Sequence, residues 1–246
     1  MKLRSCRLVA ALAPLLLLSA CAQPSRPSSP STPPVVRGQI LFEGEVPPTR
    51  YTTPPPPLDA VFPQGIPYTR YQVSPDRGLA EVVVSVVNPP ADRPAPPTSP
   101  QFMSISNTIC VPRVLAVQTN QTVVFQVRGD RMFNLNATSG RPGGGFNQAV
   151  TGNMDFERVF PEAGARYRLM DNVHVWLTAT IWAFDHPWFA VTDAKGTFEL
   201  PPLPPGRYTV QIEHRAAGRI TREIEVPGAG ESLVWTLPAK TNPAEL

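Results

Sequence analysis

Proline is spread along almost the whole chain, with 32 proline residues among 246, and this limits the folds that the sequence can adopt. Proline is excluded from helix interiors and from the centres of sheets, but it suits loops and edge strands. From Val35 onward, no helical periodicity continues beyond two turns, whereas short apolar or alternating runs recur between Pro, Gly, Asn and Asp residues. The sequence therefore predicts an all-β protein.

Nine segments have the alternation and composition typical of β-strands. The valines of segment 81–87 point to both faces, which predicts a strand that is buried on both sides. The predicted strands cover residues 38–42, 81–87, 114–117, 122–127, 166–170, 175–184, 207–213, 220–226 and 232–237, with a weaker strand at 153–160.

Residues 1–20 have the layout of a secretory signal peptide. Lys2, Arg4 and Arg7 precede an apolar run at 8–18, which is too short to span a bilayer. Removing this leader takes away three of the 22 basic residues and leaves 19 basic against 19 acidic ones. A neutral mature chain without a basic stripe argues against a nucleic-acid partner.

Cys21 follows Leu18-Ser19-Ala20 directly, and this arrangement resembles the lipobox of bacterial lipoproteins. The resemblance implies that Cys21 carries the lipid, with palmitate among its acyl chains, and anchors the protein to a membrane. Ala22, in place of an aspartate, implies the outer membrane, with the protein facing the periplasm. Residues 21–35 are rich in Pro and Ser, which is typical of an extended tether.

Part of the remaining chain resembles the cupredoxins, a family of small copper proteins. The resemblance covers residues 101–186 and implies a Greek-key β-barrel or sandwich. Its motifs are Pro112-Arg113-Val114-Leu115-Ala116-Val117, Thr122-Val123-Val124-Phe125, Asp130, Phe133-Asn134 and Asp171-Asn172-Val173-His174-Val175-Trp176-Leu177.

The copper ligands implied by this resemblance are mostly replaced. A blue-copper centre needs two imidazoles, one thiolate and a weak axial thioether. His174 keeps one imidazole, but Phe133 stands in place of the other, Asp171 in place of the cysteine and Leu177 in place of the methionine. Asn134, which in the family braces the ligand loop, is kept. We expect no cofactor, although copper in an atypical site remains an alternative.

A second resemblance is to carboxypeptidase regulatory-like domains, which are small transthyretin-like β-sandwiches. Its motifs are two turns with the strands that follow them, Asp193-Ala194-Lys195-Gly196-Thr197-Phe198 and Pro205-Gly206-Arg207-Tyr208. The segments 38–42 and 79–87 resemble the first two strands of such a domain. We therefore expect a discontinuous sandwich, 36–90 and 187–240, with the cupredoxin-like unit inserted. Two consecutive domains are the alternative.

Several single residues receive structural interpretations. Cys110 is expected to be a small core residue, because no disulfide partner is left after Cys6 and Cys21. His186 is expected at the junction of the two units and His214 in solvent. The glycine-rich segment 141–146 predicts a mobile loop.

No group of residues in the sequence has the pattern of a catalytic site. The expected function is that of a non-enzymatic cell-envelope lipoprotein, a binding or structural module whose partner is an envelope protein or a polysaccharide. The expected binding surface consists of Phe133, Asn134, His174 and Trp176. The alternatives are an electron-transfer protein with an atypical copper site and a carbohydrate-binding accessory module.

Overall fold

The structure is a computed structural model that describes residues 34–56, 58–141, 144–226 and 232–239. Within these ranges, the backbone forms 18 β-strands and one short 3-10 helix, Leu58–Ala60, which confirms the all-β prediction. The predicted leader 1–20, the predicted lipidation site Cys21 and residues 22–33 of the predicted tether lie outside the described residues. Among the described residues, no helix has the length and apolar character needed to cross a bilayer.

The strands are joined by turns and longer loops along the chain. In order they are β1 (Val36–Glu43), β2 (Arg50–Thr52), β3 (Ile66–Tyr68), β4 (Val83–Val86), β5 (Gln101–Ser106), β6 (Ile109–Val111), β7 (Val114–Gln118), β8 (Val123–Arg128), β9 (Met132–Thr138), β10 (Gly145–Thr151), β11 (Met154–Arg158), β12 (Ala165–Asp171), β13 (Thr178–Phe184), β14 (Phe189–Val191), β15 (Thr197–Leu200), β16 (Gly206–His214), β17 (Gly218–Val226) and β18 (Leu233–Pro238).

The strands β5 to β13 form two sheets that share one core, and we call this unit the larger sandwich. One sheet has the order β10-β9-β12-β13-β7 and the other the order β11-β8-β5-β6. One pair in each sheet is parallel, β13 with β7 and β5 with β8. Alternating side chains of both sheets fill the core between them, with Phe125, Phe133 and Tyr167 among the largest fully buried residues.

The strands β1, β4 and β14 to β18 form the smaller sandwich. Its two sheets have the orders β15-β1-β18 and β14-β4-β16-β17. Their inner faces bury Ile40, Val84 and Val210 in a second core. All four residues of β4 are buried, in agreement with the prediction that this strand is covered on both sides.

The pairing of the strands shows how the chain passes between the two sandwiches. β1 pairs with β15 and with β18, and β4 pairs with β14 and with β16. In the described part of the chain, β5 to β13 pair only with one another. The smaller sandwich is therefore built from segments that precede and follow the larger one, while the domain limits 36–90, 101–186 and 187–240 stay a prediction.

Apolar contacts and ion pairs join the two sandwiches, which belong to one compact unit. Val83 of β4 packs with Val114, Trp182 and Phe184 of the larger sandwich. The guanidinium of Arg113 holds the carboxylate of Glu81 through two hydrogen bonds of 2.8 and 2.7 Å. At the end of β13 near Trp182 and Phe184, the face that is turned away from its own core is thereby covered.

The structure corrects the prediction of a mobile loop at 141–146 for the last two residues of that segment. Residues 142–143 lie outside the described residues, but Gly145 begins β10, and Phe146 packs against Phe125 with ring centroids 5.4 Å apart. β9 was also missed, although its apolar residues alternate with Asn134 and Asn136. Asparagine is depleted in strands, so the local sequence does not favour a strand here. Burial of the alternating apolar side chains in the core stabilises the strand nonetheless.

Candidate functional site

The four positions assigned to copper ligands by the resemblance come together at one end of the larger sandwich. Phe133 lies in β9, Asp171 ends β12, and His174 and Leu177 lie in the turn that leads to β13. β9 and β12 are neighbours, and the ring centroids of Phe133 and His174 are 5.2 Å apart. We call residues 171–177 the Asp171 loop.

The carboxylate of Asp171 is the centre of this loop and is 0% exposed. Its Oδ1 atom accepts hydrogen bonds from the backbone N–H groups of Asn134 at 2.7 Å and Val173 at 3.2 Å. Its Oδ2 atom accepts from the backbone N–H of His174 at 3.0 Å and from Nδ1 of the same residue at 2.5 Å. Four donors from the chain itself thus satisfy a carboxylate whose burial would otherwise be costly.

Backbone hydrogen bonds close the loop and join it to β9. The N–H of Leu177 donates to the carbonyl of His174 at 2.8 Å, and the N–H of Asn172 donates to the carbonyl of Asn134 at 2.9 Å. The resemblance assigned a bracing role to Asn134. Its backbone makes both of the contacts described here, while its buried Oδ1 has no hydrogen-bond partner among the described residues.

His174 is held between two aromatic rings. Its ring centroid lies 5.2 Å from that of Phe133 and 5.5 Å from that of Trp176, which meets it edge to face. The indole N–H of Trp176 donates to Oγ1 of Thr108 at 3.0 Å. Thr108 has a φ of 61°, which is strained for a β-branched residue, and its hydroxyl fixes the end of the Asp171 loop.

These residues do not fit a blue-copper ion. Nδ1 of His174 and both carboxylate oxygens of Asp171 are already hydrogen-bonded within the loop. Phe133 and Leu177 are buried and offer no donor atom to a metal. Among the described residues, no cluster of three or more His, Cys, Asp or Glu side chains could hold a metal ion.

The expected binding surface also needs correction. Phe133 and His174 are buried, because the alternation of β9 turns Phe133 toward the core. The apolar side chains that the Asp171 loop exposes are Val173 at 45% and Val175 at 66%, beside the half-buried Trp176. The exposed surface is therefore the tip of the loop. Phe133, His174 and Trp176 pack beneath this tip.

A cluster of arginines beside this loop was missed by the sequence analysis. A cavity of about 510 Å³ is bounded by β12 and β13, by β2 and β3, and by the turn after β16. Four arginines line it together with Tyr68, Val175 and Trp176, namely Arg113, Arg166, Arg168 and Arg215. The alternation Arg166-Tyr167-Arg168-Leu169 already places two arginines on one face of a strand, but only the tertiary structure shows that they face a cavity.

The two other histidines are buried. His214 was expected in solvent, yet it is 1% exposed, and its Nδ1 accepts hydrogen bonds from the N–H groups of Ala216 and Ala217. Burial, followed by the charges of nearby arginines, lowers the pKa of His214 to about 3. His186 accepts a local hydrogen bond from the N–H of Trp188, and burial lowers its pKa as well.

Comparisons with known proteins place cupredoxins among the similar solved structures. No protein-family model matches the sequence, and no curated protein sequence matches it. The purple cupredoxin from Nitrosopumilus maritimus is 19% identical, with 34% of this chain and 98% of that chain covered and a TM-score of 0.29. Amicyanin from Paracoccus versutus is 16% identical, with 41% and 96% covered and a TM-score of 0.31.

Part of a larger copper protein is also similar to part of this chain. The copper-containing nitrite reductase from Thermus scotoductus SA-01 is 16% identical, with a TM-score of 0.32. The alignment covers 40% of this chain and 25% of that chain.

Proposed function

We propose that the protein is a non-enzymatic, lipid-anchored binding module of the bacterial cell envelope, whose cupredoxin-like unit works without copper. The observation that carries this proposal is the saturated carboxylate of Asp171, which accepts four hydrogen bonds where the resemblance puts the thiolate ligand. The hydrogen bonds of Asp171 join β9, β12 and the loop, so they supply the cross-link that a metal would otherwise supply.

A loop fixed in this way suits binding better than electron transfer. Because Asp171, His174 and the Trp176–Thr108 hydrogen bond hold its base, Val173 and Val175 are presented in one conformation. Preorganised groups lose less conformational entropy when a partner binds. The partner would be an envelope protein or a polysaccharide, and the smaller sandwich would be the regulatory-like domain into which the cupredoxin-like unit is inserted.

Electron transfer through an atypical copper site is the competing function. It would require at least two further donor atoms to approach His174, whereas the neighbouring side chains Phe133 and Leu177 are apolar and buried. A metal on Nδ1 of His174 would displace the hydrogen bond to Asp171 and leave a buried carboxylate with one donor fewer, which is costly. The chemistry of the donor set therefore favours the metal-free function.

Metal titration of the soluble form that lacks residues 1–21 tests this proposal. Copper(II), copper(I) and zinc are added in turn, and bound metal is measured after dialysis by elemental analysis and absorption spectroscopy. We expect no stoichiometric metal and no intense visible band. One equivalent of bound metal that is lost in His174→Ala, but kept in the control His186→Asn, would overturn the proposal.

The lipid anchor is tested separately by mass spectrometry of the N-terminal peptide from the native membrane. We expect a diacylglyceryl group on Cys21, and we expect the Cys21→Ser variant to lose it and to leave the membrane fraction. A mature chain that begins at another residue, or a Cys21→Ser variant that remains in the membrane, would contradict the anchor.

A further inference from the structure

The arginine-lined cavity has features of a ligand site that the Asp171 loop alone does not explain. Its volume of about 510 Å³ falls in the range of roughly 300–1,000 Å³ that is typical of small-molecule sites. Arg166 and Arg168 enter it from one face of β12, Arg113 enters from the start of β7 in the same sheet, and Arg215 enters from the turn after β16 of the smaller sandwich. Trp176 of the Asp171 loop adds an aromatic wall.

The carboxylates beside the cavity do not balance its positive charge. Glu81 pairs with Arg113 at 2.7 Å and lies 3.6 Å from Arg215. Glu213 lies 3.4 Å from Arg166 and also pairs with Arg219, which is outside the cavity lining, at 2.7 Å. Four lining guanidinium groups thus have two carboxylates between them, so that two positive charges remain even before Arg219 is counted.

Arg168 is the lining arginine that has no ion-pair partner among the described residues. It lies at the middle of β12, opposite Thr180 of β13, and its side chain is exposed toward the cavity. The backbone of Arg168 is fixed at this place, because β12 is hydrogen-bonded on both sides. The strand therefore holds an unpaired cation at the wall of the cavity.

Neighbouring titratable groups respond to this concentration of positive charge. The pKa of Arg215 is lowered, first by burial and then by the charge of Arg113. The pKa of His214 is lowered first by burial and then by the charges of Arg215, Arg113 and Arg70. An anion in the cavity would relieve this repulsion.

We propose that the cavity binds a small molecule that carries two or more negative charges on oxygen atoms, as phosphate esters and polycarboxylates do. Guanidinium groups form paired hydrogen bonds to such oxyanions, and several of them in one partly enclosed space favour a multiply charged ligand over a single carboxylate. The proposal rests on the proposed binding function, because Val175 and Trp176 of the Asp171 loop form part of the wall.

Isothermal titration of the full chain in nonionic detergent tests this inference with two probes, inorganic pyrophosphate and citrate. Sucrose serves as the uncharged control, and the buffer contains no phosphate. We expect one equivalent of at least one of the two anions to bind, with an affinity that falls as sodium chloride is raised. Binding of pyrophosphate alone assigns the phosphate class, and binding of citrate alone assigns the polycarboxylate class.

Variants locate the bound anion. Arg168→Ala is expected to weaken binding at least fivefold, and Arg168→Lys, which keeps the charge but loses the paired hydrogen bonds, is expected to weaken it less. Arg222→Ala, on the exposed face of β17, is the matched control and should bind as the unchanged protein does. Circular dichroism of each variant establishes that it is folded.

The inference is overturned if neither probe binds at millimolar concentration, or if Arg168→Ala binds as tightly as the unchanged protein. In the first case the arginines serve only the contact between the two sandwiches. Neither result affects the proposed metal-free function, because that proposal is tested with metal ions and with His174→Ala. Conversely, a copper site at His174 would leave the anion titration as it stands.

Discussion

The Nδ1 atom of His174 lies 2.5 Å from Oδ2 of Asp171, and this hydrogen bond ties the imidazole to the buried carboxylate that organises its loop. The same carboxylate oxygen also accepts from the backbone N–H of His174, three residues along the chain. Asp171 thus fixes both the backbone and the side chain of the residue that the cupredoxin resemblance identifies as the remaining copper ligand.

Replacing Asp171 by asparagine tests this role. The amide oxygen of Asn can still accept from Asn134 and Val173, but its NH₂ group faces the two donors of His174. We expect the free energy of unfolding to fall by about 2–4 kcal/mol, which is the scale for hydrogen bonds to a buried charge. Urea unfolding followed by circular dichroism measures the change.

Asp130→Asn is the control for that experiment, since Asp130 is an exposed carboxylate of the same sandwich. Its effect should stay within about 0.5 kcal/mol, as for most surface substitutions. Equal stabilities of the Asp171 and Asp130 variants would mean that the Asp171 loop does not depend on its carboxylate.

The ion pair between the two sandwiches gives a second prediction. The side chains of Glu81 and Arg113 are 11% and 22% exposed, whereas the surface pair of Arg37 and Glu199 is 63% and 56% exposed. We expect Glu81→Gln to lower the free energy of unfolding by about 2 kcal/mol, because it leaves Arg113 partly buried without its charge partner. Glu199→Gln should change it by less than about 0.5 kcal/mol.

Thermal and urea unfolding of both glutamate variants measure these differences. A Glu81 variant that is as stable as the Glu199 variant would show that the contact between the sandwiches does not depend on the Glu81–Arg113 pair.

Stability should also depend on pH through His214. Its pKa is about 3 in the folded protein and about 6.5 in an unfolded chain. Between these values the unfolded chain binds more protons, so the free energy of unfolding falls as the pH falls through this window. The contribution of this group has a slope of at most about 1.4 kcal/mol per pH unit.

His214→Asn isolates this contribution, because the asparagine oxygen can replace Nδ1 as the acceptor for Ala216 and Ala217. Between pH 7 and pH 4, the unchanged protein should lose more stability than the variant. His186, whose pKa is also lowered by burial, is present in both proteins and cancels in the difference. Parallel curves of stability against pH would refute the assignment to His214.

The thiol of Cys110 is predicted to be unreactive in the folded protein. Burial raises its pKa to about 12, and the thiolate is the reactive form of cysteine. Ellman's reagent should therefore find no free thiol in the native mature protein and one in guanidinium chloride. Rapid reaction of the native protein would mean that the core near β6 opens readily.

Much of the fold follows from local patterns in the sequence. β4, β12 and β16 have apolar residues at strand spacing, and the sequence predicts them within a few residues. β9 could not be predicted with the same rule, because Asn134 and Asn136 lower its strand propensity and only the core decides its conformation.

The candidate site, like the fold, could be predicted from the sequence only in part. The motif around His174 predicts that Phe133, Asp171 and Leu177 belong together, since the resemblance supplies the topology. It does not predict that Phe133 is buried, nor that Arg113, at the start of β7, and Arg215, of the smaller sandwich, line one cavity with Arg168. These contacts join residues that are far apart in sequence, so the periodicity of a single segment cannot predict them.

The effect of copper on the unfolding free energy tests the metal-free account most directly. Any ligand that binds only the folded state stabilises it, by about 2.7 kcal/mol at one hundred times its dissociation constant. We predict that excess copper(II) leaves the urea midpoint of the unchanged protein where it is. The midpoint of His174→Ala should likewise not shift when copper(II) is added. A midpoint that rises with copper in the unchanged protein, and not in His174→Ala, would contradict the account and assign His174 to a metal site.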